Sequence, residues 1–276
     1  MPTPEQLEAM FPVCWGFSRT PDGVLTVSWK QPAQSSAELD PGMRDPSKFL
    51  FPDGQGPGIQ VAEDVWNAIG RDPDNKVVVL TGHDGVFYEP PAGRSPLGPP
   101  PWDAALWGSV LYRVPRSMQA FLDIPTLLIG AANGPARIHA EYLLLCDVVV
   151  ASETAVFQDL PHFFANSVPG DGVNIVWPLL LGWNRGRDFL LSGRSMSAQE
   201  ALELGLVREV VPEADLLPRC QEIAAEMLKR DEQTLRYTAP VLRQHLKVQV
   251  VQHLQHSMAL EGILKLEQAQ QRRERE

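Results

Sequence analysis

The spacing of apolar residues changes period several times along the chain, and each change predicts an element. Gly23-Val24-Leu25-Thr26-Val27-Ser28-Trp29 alternates as a half-buried strand does. Val61, Val65 and Ile69 recur at helical spacing, which predicts a helix over 61–69. Asp72 to Asn75 read as a turn. Lys76-Val77-Val78-Val79-Leu80-Thr81 is then nearly continuous in apolar character, as suits a strand covered on both faces. A helix is expected over 102–122, interrupted near Pro115. Strands follow at 126–131, 147–151 and 155–157, with a helix at 139–145. From 172 the pattern turns helical. Ser197-Ala198-Gln199-Glu200 is a capping box that opens a helix, and Gly205 ends it. A last short strand is read at 206–211, before two long helical stretches at 213–229 and 232–269. Strands that alternate with helices and give way to a helical end predict an α/β fold. Its strands are parallel and joined by crossover helices, with a core over 1–212 and a helical region over 213–276.

Composition narrows the function classes. The 276 residues carry a net charge of −10, which argues against nucleic acid and against an anionic membrane surface. No apolar stretch approaches the length of a membrane span, and the N-terminal residues do not read as a secretory signal. The cysteines at 14, 146 and 220 are too scattered for a zinc site or a disulfide framework, so a reducing cytoplasm is the expected setting. Prolines and glycines concentrate at 31–58 and 89–101, which predicts long loops over 31–58 and 82–101, of a length that is usually functional or mobile.

The segment FQDLPHFFANSVPGDG at 157–172 carries the chemistry. His162 stands nine residues ahead of Asp171, and Pro161, Pro169, Gly170 and Gly172 force turns around both. A carboxylate that fixes an imidazole's tautomer makes it a useful general base. A second histidine, His139, follows the turn Asn133-Gly134-Pro135. Two histidines at turns, one with a carboxylate nearby, suggest water activation plus charge stabilisation. Asp159, three residues from His162, is the rival orienting carboxylate. Gly54-Gln55-Gly56-Pro57-Gly58 lacks the preceding strand and the spacing of a phosphate loop and reads as plain loop. No histidine pair has the spacing of a metal-site helix, so no metal is expected.

Four stretches together resemble the crotonase (enoyl-CoA hydratase/isomerase) superfamily: KVVVLTG at 76–82, IPTLLIGAANGPARIHAEYLLLCDVVVASETAVF at 125–157, VPGDGV at 168–173 and GRSMSAQEALELGLVREVVP at 193–212. The resemblance implies a ββα spiral with two roughly perpendicular sheets, and C-terminal helices that drive assembly into a homotrimer or a dimer of trimers. Departures from the family pattern point to one branch. Arg137-Ile138-His139 stands where CoA-dependent members keep glycines. Phe87-Tyr88-Glu89-Pro90-Pro91 replaces the first oxyanion segment, and His162 replaces a hydratase glutamate. FQDLPHF, VPGDG followed by VWP, and GWNRGRDFLLSG at 182–193 are similar to the β-diketone hydrolases.

That branch implies retro-Claisen hydrolysis of a small-molecule diketone, a reaction that needs no metal and no organic cofactor. In it His162 would activate water, with Asp171 orienting it. His139 would donate to the substrate carbonyl and the oxyanion that grows on it. The proton donor is placed by the resemblance at Glu261, on a C-terminal helix where His253, Ser257, Leu260, Glu261 and Leu264 share a face. Glu141 supports His139 or the water. Trp29, Phe49, Phe51, Phe87 and Trp102 are aromatic candidates for the pocket wall, with Phe87 and Trp29 foremost. The competing readings are a hydratase, isomerase or thioester hydrolase acting on acyl-CoA, and a protein of this fold without catalysis.

Overall fold

The alternating strand that the pattern announces has a partner that the pattern did not. In the computed structural model, which describes residues 3–11, 14–30, 58–59, 62–89 and 102–275, helix α1 (Pro4–Met10) leads into β1 (Trp15–Arg19), and β1 pairs antiparallel with β2 (Val24–Trp29). Thr3 and Gln6 cap α1 reciprocally, and Trp15 lies opposite Trp29 in the hairpin. Helix α2 (Glu63–Arg71), β3 (Val77–Gly82), α3 (Ala104–Leu122) and β4 (Leu127–Ala132) follow. Next come β5 (Pro135–Ala136), α4 (Glu141–Leu144), β6 (Val148–Ser152) and β7 (Val156–Phe157). The remaining elements are α5 (Val173–Leu181), α6 (Trp183–Ser192), β8 (Met196–Ser197), α7 (Ala198–Glu203), β9 (Glu209–Val211), α8 (Leu216–Met227) and α9 (Glu232–Arg273).

Two sheets result. The larger has the order β1-β2-β3-β4-β6-β9, parallel throughout except for the β1–β2 hairpin. The smaller has the order β5-β7-β8. This is the α/β architecture with an appended helical region that the sequence predicts. β3 is covered on both faces, and its alternation sorts the two. Val77 and Val79 join Ile129, Ala131 and Val150 beneath Leu216, Cys220 and Ile223 of α8. Val78 and Leu80 join Leu128 in the main core with Trp66 of α2 and Met118 and Phe121 of α3. Cys14, Cys146 and Cys220 are buried and unbridged. No helix among the described residues is long and apolar enough to cross a membrane.

Some boundaries differ from expectation. α3 runs unbroken through Pro115, which is buried against the core. The missing N–H and the ring clash cost about 3 kcal/mol, and packing of this helix between α2 and α9 outweighs them. The helix read at 139–145 is only the single turn of α4, because His139 adopts a left-handed backbone. The strand read at 206–211 pairs only over β9. Loop 31–58 apart from Gly58, the far part of loop 82–101 with Pro90 and Pro91, and Val61, Phe49 and Phe51 lie outside the described residues.

α9 is fastened to the sheet by Arg243. Its Nε donates to Asp147 Oδ1 at 2.9 Å, its guanidinium reaches Asp147 Oδ2 at 2.7 Å, and it donates to the carbonyl of Ile124 at 2.7 Å. Both side chains are buried, so removing the cation strands a carboxylate in the interior. Arg243→Met is expected to lower the unfolding free energy by about 3–5 kcal/mol, read from urea denaturation.

Candidate active site

Backbone pairing brings the two histidines together. The chain leaves β5 toward His139 and leaves β7 toward His162, and the two segments stay zipped past the strands. Gln158 N donates to Ala136 O at 3.2 Å and Leu160 N to Arg137 O at 3.0 Å. His139 holds φ at 52°, a conformation that side chains rarely adopt and that clusters at functional sites. His162 starts a short 3-10 turn at 163–165 and accepts from Ala165 N and Ser167 N at its carbonyl. Asp171 lies just ahead of α5, where the helix N-terminus favours a negative charge. Glu261 arrives from α9, and two glycines let that helix come close. A Cβ on Gly170 would lie 2.7 Å from Glu261 Oε2, and one on Gly262 would lie 1.9 Å from Trp107 Nε1.

The residues form one buried cluster. His139 Nδ1 meets Glu141 Oε1 at 2.8 Å, and His162 Nδ1 meets Asp159 Oδ1 at 2.6 Å. Asp171 stands between the rings, with Oδ2 3.6 Å from His139 Nδ1 and Oδ1 3.4 Å from His162 Nε2. Glu261 Oε1 lies 3.9 Å from His162 Nε2, 3.9 Å from Lys265 Nζ and 3.4 Å from the Ser167 hydroxyl, which donates to it. Asp171 Oδ1 and Glu261 Oε2 accept no aligned hydrogen bond from a described residue. Tyr88 approaches His139 with ring centroids 5.9 Å apart, and Trp29 backs Tyr88 at 5.7 Å.

Charge neighbours set the protonation states. Burial depresses the His162 imidazole, but Asp171 and then Asp159 outweigh it and hold it well above the ordinary histidine range. Burial likewise opposes the charge on His139, and Glu141 and then Asp171 raise it on balance. Burial would raise Asp171, yet His162 and His139 hold its carboxyl below the usual range. At Glu261 burial wins over His162 and pushes the carboxyl up to about 7. Glu141 is raised by burial despite His139, and burial depresses Lys265.

The sequence-derived candidates His139, His162, Asp171, Glu261 and Glu141 are thus neighbours, but some parts differ from expectation. Asp171 does not hold His162 at Nδ1. Asp159 does, because Pro161 turns the chain back within three residues, and Asp171 faces Nε2 instead. Phe87 and Trp29 are fully buried, so packing accounts for both, and Tyr88 is the aromatic that faces His139. The α9 face also shifts: His253 and Leu260 are exposed, while Leu254, Ser257, Met258, Glu261 and Lys265 point inward. Glu261 is therefore no solvated helix charge. Lys265 adds a cation that the sequence reading does not include, and its place four residues after Glu261 is the signal for it. His139, Glu141 and Asp171 offer donor atoms within 4.8 Å of one another. A divalent cation could use that spacing, but the Glu141 bond to Nδ1 already accounts for the closeness.

Residues 61–274 match the family described as enoyl-CoA hydratase/isomerase. The chain belongs to that family. The chain is similar over nearly its whole length to a β-diketone hydrolase from the cyanobacterium Anabaena sp. PCC 7120, solved with (S)-3-oxocyclohexyl acetic acid. The two share 33% identity and a TM-score of 0.77, over 97% of this chain and 99% of that one. A putative enoyl-CoA hydratase/isomerase of Bacillus subtilis is 39% identical over 38% of this chain and 41% of its own length. A 4-chlorobenzoyl coenzyme A dehalogenase of Arthrobacter is 28% identical over 75% of this chain and 69% of its own. The match thus spans under half of the Bacillus protein.

Two stability effects follow from this geometry. His139→Gly and His139→Ala lose the same imidazole, but only glycine accepts φ 52° freely, so the glycine variant is expected to be about 1 kcal/mol more stable in urea. The raised His162 stabilises the fold fully below its ordinary value of 6.5. That contribution fades as pH rises through the folded-state value, so the advantage of wild type over His162→Gln shrinks on going from pH 6 into the alkaline range.

Proposed function

We propose that this chain hydrolyses the carbon–carbon bond between the two carbonyls of a cyclic 1,3-diketone, by a retro-Claisen reaction, to give a keto acid. The observation that carries the reading is the pair of imidazoles, each held by its own carboxylate, on either side of Asp171 in one cluster with Glu261. Water adds to one carbonyl and the cluster takes its proton. His139 donates to the oxyanion. The carbon–carbon bond then breaks, its electron pair passes into an enolate on the second carbonyl, and a proton from the cluster completes the ketone. The second carbonyl is the electron sink, so these side chains suffice for the chemistry.

The likeness to the Anabaena hydrolase supports the same substrate class. Its ligand is a keto acid, and joining the carboxyl carbon to the free ring carbon beside the ketone gives a bicyclic 1,3-diketone. His139 supports a diketone over a CoA thioester, since it fills with an imidazole the backbone position that CoA-dependent members leave to glycine. Apolar residues exposed on α9, among them Tyr237, Val241 and Leu242, support self-association, read here as a trimer or a dimer of trimers.

A panel of bicyclic, monocyclic and open-chain 1,3-diketones, followed through loss of enol absorbance with acyl-CoA esters in parallel, tests the reading. Turnover of a diketone is expected. His162→Ala should lose about 10²–10⁴-fold in kcat, and His139→Ala about 10²–10³-fold. Turnover of an acyl-CoA and of no diketone would sink the proposal.

A further inference from the structure

We infer that the site moves its protons in the opposite sense from the one its resemblance implies: His162 is the resting acid, and Glu261 is the base that takes the proton of the attacking water. The inference rests on the diketone reading of the same site. The geometry around one ring carries it. His162 Nδ1 has Asp159 at 2.6 Å, and Nε2 has Asp171 at 3.4 Å and Glu261 at 3.9 Å. An opposite charge within about 4–6 Å favours the charged form of a group, and three carboxylates crowd this imidazole. A ring that carries both protons has no lone pair to offer water. It can only give a proton.

The other charges nearby do not reverse this. His139 opposes a second imidazolium, but Asp171 lies between the rings and Glu141 holds the far one. Lys265 is paired with Glu261 at 3.9 Å. Two carboxylates then remain for the base. Asp171 faces both imidazoles, is held below the usual carboxylate range and is correspondingly a weak base. Glu261 faces one imidazole and one lysine from a deeper position, is raised to about 7, and keeps Oε2 without a hydrogen bond from a described residue. A base is most effective when its pKa lies near the working pH.

Glu261 takes one proton from water as the water oxygen bonds to the carbonyl carbon, and the carbonyl electron pair moves onto its oxygen beside His139. The carbonyl reforms, the carbon–carbon bond breaks, and its pair becomes the enolate. His162 gives its Nε2 proton to the enolate carbon and becomes neutral. Glu261 passes the proton taken from water to His162 once the 3.9 Å separation has closed to hydrogen-bond distance, and the product acid releases its own proton to solvent.

The test reads the ring directly. The full-length chain is labelled with ¹⁵N-histidine, His162→Gln assigns the signal, and long-range proton–nitrogen spectra are recorded against pH without substrate. Both His162 nitrogens should carry protons at pH 7, with a midpoint well above the ordinary histidine range. Asp159→Asn should move that midpoint down by about one unit. Glu261→Gln should leave the ring protonated and cut kcat by about 10²–10⁴-fold. A neutral ring at pH 7, or a Glu261→Gln enzyme within about tenfold of wild type, overturns the assignment. The spectrum needs no substrate, so a wild type that cleaves no diketone counts against the reaction alone, whereas a neutral His162 counts against the direction of proton flow alone.

Discussion

The structure turns on an excess of negative charge that it must hold away from water. Glu141, Asp159, Asp171 and Glu261 lie together with His139, His162 and Lys265 in one region of low exposure. A buried carboxylate without a partner is costly, and the group removes the cost by holding protons. Both imidazoles are pushed toward their charged form, and one carboxyl, Glu261, is pushed toward its neutral form. The two imidazoles are therefore biased toward holding protons, while Glu261, at about 7, lies between its two forms near neutral pH. The same forces that make the interior tolerable set its protonation states.

Several remote features exist to assemble that group. The zipped segments after β5 and β7 set the two rings side by side. Gly170 and Gly262 open the space through which α9 brings Glu261, and Arg243 fastens the same helix to the sheet through Asp147. His139 keeps a backbone conformation suited to glycine, at a cost of about 1–3 kcal/mol. The left-handed turn aims the ring at Asp171, so the strain is retained where it serves the arrangement.

Much of this was legible in the sequence, for reasons of period and turn chemistry. β2, β3, β4 and β6 follow from their apolar runs, and Ser197 caps α7 as its pattern requires. β1 was missed because WGFSR is too short and mixed to declare itself before its pairing with β2 supplies the context. The cluster members were legible as residues but not as partners. Proline and glycine around Asp171 drew attention to it as the orienter of His162, whereas contact was decided by the tighter turn through Pro161, which favours Asp159. The inward face of α9 was misread by a fraction of a turn, because the exposed Leu260 and Ile263 blur the apolar stripe of a helix that also presents hydrophobic surface outward. Residues 31–57 and 90–101 lie outside the described residues.

α9 is the last long element of the fold, and it alone delivers Glu261. A nascent chain emerging from the ribosome already contains both imidazoles, Asp159 and Asp171 before that carboxyl has been synthesised. The cluster is thereby completed only after translation has passed residue 261 and the helix has docked.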